Sequence, residues 1–157
     1  MHSRRFAAFA ALLLSLAGLS FGFAGDARAA KPETYTPRFS SLAVEGYDAV
    51  AYFEEGAPVK GDAAFEISWR GATWRFSTAE HLALFQANPE SYAPQYGGYC
   101  AWAVAHGYTA RGNPKNWTIF DGKLYLNYND KVQADWMKDV PGYVAKGDAN
   151  WPQVLEK

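Results

Sequence analysis

Cysteine is almost missing: Cys100 is the single one in 157 residues. An intrachain disulfide is therefore excluded, and with it a disulfide-stapled miniprotein, a C-x-x-C zinc ribbon and a C-x-x-C-H haem attachment site. Charge is scarce too, at 20% of residues with a formal net charge of -1. That balance excludes a polybasic nucleic-acid binder and a chain kept disordered by its charge. No H-E-x-x-H, no G-x-S-x-G, no P-loop and no G-x-G-x-x-G after a predicted strand occurs, so the common hydrolase, nucleotide and dinucleotide signatures are absent. What the chain has in quantity is apolar surface, 49% hydrophobic and 17% aromatic residues, enough for a real if modest core in one domain.

Long hydrophobic runs are also few. The one that occurs, Phe6 to Phe23, follows Arg4 and Arg5 and precedes Ala27-Arg28-Ala29. A basic start, an apolar stretch and a small-x-small site are the order of a secretory signal peptide, expected over residues 1–29. The competing reading is an uncleaved anchor, because the run approaches spanning length. Ser3-Arg4-Arg5 admits the twin-arginine route beside the general secretory one. The expected location is the periplasm or the medium, with no stable membrane insertion after cleavage. Removing residues 1–29 takes away Arg4, Arg5 and Arg28 against Asp26, which leaves 12 basic and 15 acidic residues. Nothing in that balance points to nucleic acid or an anionic membrane. Residues 30–41, with Pro32 and Pro37, read as a polar arm, and residues 42–157 as the domain.

Within the domain, Val44 to Phe53 reads as a turn followed by an extended piece. Phe65, Ile67 and Trp69 alternate, Arg70-Gly71 can turn, and Ala72, Trp74 and Phe76 alternate again, which predicts a hairpin. A second hairpin is expected at Trp117–Phe120 and Lys123–Asn127 around Asp121-Gly122, a strong turn signal. Ser77 with Glu80 reads as a capping box for a helix to about Ala87, with Leu82 and Phe85 inward. Pro89 can open a further short turn. Tyr99 to His106 reads as a short buried helix closed by Gly107. Asn129 caps a helix to about Lys138, broken by Pro141-Gly142 before a last turn at Tyr143–Lys146. Two hairpins and three to four short helices without a βαβ rhythm predict a small α+β domain around an antiparallel sheet.

Cys100 is the principal candidate for chemistry. It follows Gly97-Gly98-Tyr99 at the expected start of a helix, where free N–H groups and the helix dipole favour a thiolate. Such a thiolate is a soft-metal ligand or a redox centre; the alternative is a small buried hydrophobe. His106 lies six residues on, roughly 120° around the helix, so the two share no face. His81 falls in the first turn of the capped helix. Either histidine could complete a metal shell, and either could equally be structural. Met137 offers a thioether but reads as core. A nucleophile set of Cys100, one histidine and Asp48 or Asp121 exists as an inventory only. The many tyrosines read chiefly as packing, with one or two expected to line the Cys100 site.

Gly46-Tyr47-Asp48-Ala49-Val50-Ala51-Tyr52-Phe53, Trp74-Arg75-Phe76-Ser77 and Tyr92 through Ala101 resemble the exported YHS domain family. Gly122-Lys123-Leu124-Tyr125-Leu126-Asn127, Trp136 and Asn150-Trp151-Pro152 extend the resemblance over nearly the whole mature chain. It implies a YHS-like α+β fold and an exported protein. Some members are similar to selenoproteins with selenocysteine at the Cys100 position, which implies a chalcogen that reacts or binds a soft metal. The wider group is associated with copper handling through paired cysteines. This chain departs from that pattern: the Tyr-His-Ser triplet is missing, Gly46-Tyr47-Asp48 and Phe76-Ser77 lack the expected cysteines, and His81 and His106 are not motif residues.

Three expectations follow. The first is an exported protein that binds or handles a soft metal, copper foremost, through Cys100 with His106, His81 or a second molecule, exchanging it with a donor or acceptor protein. The second is a thiol redox enzyme that reduces a peroxide or a disulfide through a sulfenic acid at Cys100 and needs an external thiol. The third is a non-catalytic interaction domain.

Overall fold

The computed structural model describes residues 29–157, so the expected signal peptide lies outside the described residues. Four strands form two separate antiparallel hairpins: β1 (Asp62–Trp69) with β2 (Ala72–Phe76), and β3 (Asn113–Phe120) with β4 (Lys123–Asn127). Six short helices surround them: α1 (Ala51–Glu54), α2 (Ala79–Ala87), α3 (Pro89–Tyr92), α4 (Ala101–Ala105), α5 (Asp130–Trp136) and α6 (Val140–Asn150). The fold is α+β as expected, with two two-stranded sheets and more helices than the three to four expected. Among the described residues, no helix is long and apolar enough to cross a membrane.

Both hairpins close through two residues with positive φ. Arg70 (47°) and Gly71 (73°) join β1 to β2, and Asp121 (50°) and Gly122 (69°) join β3 to β4. Positive φ at both central residues matches the right-handed strand twist, so Arg-Gly makes the same kind of turn as the more recognisable Asp-Gly. In β2 the alternation holds, with Ala72, Trp74 and Phe76 buried.

Strand β4 is buried along almost its whole length and serves two cores. Leu124 and Leu126 join the cluster built on β2, α1 and α2, whereas Tyr125 joins the cluster of α4, Trp136, Val140 and Val154. Successive side chains point to opposite faces of a strand, so one five-residue segment welds the halves together. The arm runs across this junction. Lys31 N–H donates to Leu155 O (2.8 Å), Tyr35 N–H to Gly97 O (2.9 Å) and Tyr99 Oη–H to Pro32 O (2.9 Å).

Three local expectations are corrected. Val44–Phe53 is not extended: a tight 3-10 turn spans Ala43–Gly46, and α1 follows. Asp48 directs this, because its Oδ1 accepts the N–H groups of Val50 (2.9 Å) and Ala51 (3.2 Å) and so folds the chain into a helical turn. The N-cap of α2 is Thr78, whose Oγ1 accepts His81 N–H at 3.1 Å; Ser77 turns away to Asp48 instead. Pro141-Gly142 does not break the chain but opens α6, an eleven-residue helix. Asp139 caps Gly142 N–H at 3.0 Å, and a proline in the first turn has no intrahelical N–H to lose.

Candidate functional site

Cys100 stands at the N-cap of α4, a helix of five residues. Two contacts fix its backbone: Cys100 N–H donates to Ala110 O (2.9 Å), and its carbonyl accepts Val104 N–H (3.0 Å). A parallel bridge to Leu126 sets it against the end of β4. Of the two preceding glycines, Gly97 makes room for the arm. Gly97 has φ +60°, and a Cβ there would lie 1.7 Å from Glu33 O. Only glycine lets the arm come so close.

Cys100 is 1% exposed. It donates to Asn127 Oδ1 at 3.6 Å, and the same oxygen accepts Trp102 N–H at 3.1 Å. Burial pushes the Cys100 thiol above its ordinary value, while the backbone N–H groups of Ala103, Tyr128 and Trp102 act the other way. The expected lowering of the thiol pKa is therefore overturned. The N–H groups of Trp102 and Ala103 at the helix start do favour the anion, but the cost of taking it out of water outweighs them.

Cys100 is one of the residues lining a cavity of about 230 Å³, with Trp102, Ala103, Tyr108, Ala110, Tyr128 and Val132. Two tyrosines thus line the site, in keeping with the expected one or two. Tyr52, Phe53, Tyr92, Tyr96, Tyr99 and Tyr125 pack elsewhere, in ring pairs with Trp117, Trp136, Trp151 and one another. The Tyr108 hydroxyl is raised above its ordinary value by partial burial and then by the neighbouring Cys100. Asn127 Nδ2 and Trp102 Nε1 are buried without hydrogen-bond partners. A wider cleft of about 420 Å³ lies where the arm meets both hairpins and includes Trp69, Arg70, Tyr96 and Trp151, but neither the thiol nor a histidine.

The two histidines do not meet Cys100 in its cavity. His106 is exposed, stacks on the Trp102 indole with centroids 3.7 Å apart, and has Nδ1 2.7 Å from Trp102 O. It covers the outer side of a cavity-lining ring without lining the cavity. His81 is buried and has Nδ1 2.7 Å from Asp48 Oδ2, which also accepts Ser77 N–H (2.8 Å) and Ser77 Oγ–H (2.7 Å). Asp48 and a histidine therefore do pair, as the inventory allowed, but with Ser77 rather than Cys100, and Asp121 sits in the β3–β4 turn. Met137 is half-exposed, against the expectation of a core position, and its sulfur accepts from Thr118 Oγ1 at 3.6 Å. Among the described residues, no three His, Cys, Asp or Glu side chains group to hold a metal ion. The donor set around Cys100 does not fit a copper site, because the other lining residues offer no thioether, imidazole or carboxylate.

Sequence reasoning missed Asn127, whose Oδ1 accepts the thiol. A signal was present: a polar, strand-averse residue directly after Leu124-Tyr125-Leu126, fully buried in the structure.

The raised thiol pKa has a consequence for pH. Alkylation of folded Cys100 by iodoacetamide will keep accelerating as pH rises past 9, the thiol's ordinary value, because the thiolate is the reactive form. In the unfolded chain the rate will level off sooner. The stabilisation tied to the protonated thiol is fully present below the unfolded pKa and is lost as pH rises through the folded one. A folded-state plateau below pH 8 would contradict the assignment.

Comparison with protein-family models, curated proteins and solved structures gave no match for this chain.

Proposed function

We propose that this chain is an exported, YHS-domain-like thiol oxidoreductase in which Cys100 cycles between thiol and sulfenic acid. The observation that carries this reading is the setting of the sulfur. Cys100 lines a cavity, its thiol donates to Asn127 Oδ1, nearby backbone N–H groups favour the thiolate once formed, and no second soft ligand lines the space. Two-electron thiol chemistry needs one sulfur, an approach for the oxidant and local stabilisation of negative charge. A stable Cu(I) site needs further soft donors, so the metal-handling reading would depend on a donor or acceptor protein to complete the shell. The resemblance of the Gly97-Gly98-Tyr99-Cys100-Ala101 segment to selenocysteine-containing relatives supports the redox reading as well. With one cysteine, the cycle closes only through an external thiol.

The test is trapping of sulfenic acid with dimedone on the reduced, exported protein, read by intact mass. Peroxide challenge should label wild type at Cys100 while folded and leave Cys100→Ser unlabelled. Stoichiometric copper retained by wild type against a competing chelator and lost in Cys100→Ser, with no sulfenylation, would overturn the redox reading in favour of metal handling. A thiol that reacts only after unfolding would make Cys100 a packing residue.

A further inference from the structure

The two hairpins are built to one pattern. Shifting Asp62–Trp69 and Ala72–Phe76 by 51 residues gives Asn113–Phe120 and Lys123–Asn127, the bounds of β3 and β4. The same shift turns each pair of the first register into a pair of the second. Glu66↔Arg75 becomes Trp117↔Leu126, Trp69↔Ala72 becomes Phe120↔Lys123, and the bulge after Asp62 becomes the bulge after Asn113. The likeness continues outside the strands. A 3-10 turn with three successive positive φ values precedes each hairpin, at Val44-Glu45-Gly46 and at Tyr96-Gly97-Gly98. Each turn leads through Gly-Tyr-x-Ala-x-Ala, at residues 46–51 and 98–103, into a short helix. Tyr47 bridges Lys60 as Tyr99 bridges Arg111. Asp48 N–H donates to Val59 O (2.8 Å) as Cys100 N–H does to Ala110 O (2.9 Å). After the hairpins, Thr78 caps His81 N–H and Asn129 caps Val132 N–H. Each half keeps its own ring pair, Trp74–Phe85 at 4.9 Å and Tyr125–Trp136 at 5.4 Å. Local rules account for each turn and cap singly but set no common spacing between them. Six elements that recur in one order, 50 to 52 positions on, are a repeat.

We propose that the domain is a tandem duplication of one unit, residues 43–92 and 95–150, and that position 132 is where a side chain of the second unit reaches residue 100. The alignment sets Asp48 on Cys100, Ser77 on Tyr128 and His81 on Val132. In the first unit these three residues meet: Asp48 Oδ2 lies 2.7 Å from His81 Nδ1 and accepts the Ser77 hydroxyl at 2.7 Å. In the second unit their counterparts Cys100, Tyr128 and Val132 line one cavity of about 230 Å³. One pocket thus occurs twice. The first copy is filled by its own imidazole and closed by hydrogen bonds around a fully buried carboxylate. The second is left hollow, because valine is shorter than histidine and bonds to nothing. The Asp48–His81 pair therefore shows the pose that an imidazole at position 132 would take beside the sulfur. None of this depends on the thiol-redox reading, since it concerns which positions face each other and not what Cys100 reacts with.

The test is Val132→His in the full chain. Its imidazole should stand beside Cys100 as His81 stands beside Asp48, and an imidazolium at that range favours a thiolate. Thiolate formation is followed through its ultraviolet absorbance against pH, as the difference from the corresponding Cys100→Ser protein, so no reagent has to reach the buried sulfur. The midpoint should fall by at least about one pH unit relative to wild type. Val132→Leu keeps Tyr108 and Tyr128, the other titratable side chains lining the space, and should not lower it. A folded Val132→His protein with the wild-type midpoint would overturn the proposal, and so would an equal fall in Val132→Leu. If Val132→His does not fold, the double variant Tyr128→Ser/Val132→His copies both facing residues of the first unit and decides by the same readout. Failure of the double variant to fold also counts against the proposal, because a copy of the first pocket holds both side chains. Whatever the midpoint does, the thiol-redox reading stands or falls on its own dimedone test.

Discussion

Asp48→Ala should lower the folding free energy by about 3–5 kcal/mol, since it leaves several buried donors without their acceptor at roughly 1–3 kcal/mol each. No water reaches this carboxylate: Asp48 is 0% exposed. Its Oδ1 accepts the N–H groups of Val50 and Ala51, and its Oδ2 those of Ser77, the Ser77 hydroxyl and His81 Nδ1. Alanine would strand all of these donors, and each buried donor without an acceptor costs roughly 1–3 kcal/mol. Asp48→Asn should recover little, because one oxygen becomes an NH₂ that faces other donors. Against a typical total of about 5–15 kcal/mol, the loss brings the domain near its threshold. Urea denaturation followed by tryptophan fluorescence measures it. A change under 1 kcal/mol would mean that the Asp48 junction is not closed in solution as described.

The second large effect is expected at Phe85. It is 0% exposed and meets three rings at centroid distances of 4.9 to 5.5 Å: Trp74, Phe76 and Trp69. Phe85→Ala removes the side chain through which α2 packs on the first hairpin, and large-to-small changes of this kind cost about 3–5 kcal/mol. Phe85→Leu should cost clearly less, since most of the volume remains. The same denaturation experiment checks both. The reactivity of Cys100 offers an independent reading, because the sulfur sits at the far end of β4. A folded Phe85→Ala protein should retain peroxide sulfenylation at Cys100.

Features written into neighbouring residues were legible in advance. Both hairpins followed from alternation around Arg70-Gly71 and Asp121-Gly122, and the Asn129 cap on Val132 N–H at 2.9 Å is as expected. Reading failed where a distant partner chose between local options. Ser77 could cap α2 until Asp48, 29 residues earlier, took its hydroxyl. Asp48 turned a segment of mixed apolar residues into α1 where the sequence suggested an extended run. Pro141-Gly142 carries the residues of a break, but they also suit a first helical turn once Asp139 caps it.

The candidate site divides in the same way. The sequence alone determined that any thiol chemistry would rest on Cys100, since there is no second sulfur to pair with it. It also determined that the residue would follow two glycines at a helix start. Only the tertiary structure decided that Gly97 accommodates the arm, that burial raises the thiol pKa despite the nearby N–H groups, and that Asn127, not His81 or His106, accepts the thiol. The reason is physical. Helix ends and turns are set by neighbours a few residues apart, whereas desolvation and hydrogen-bond partners depend on which distant segments the core brings together. Here β4, buried on both faces, carries Asn127 to Cys100.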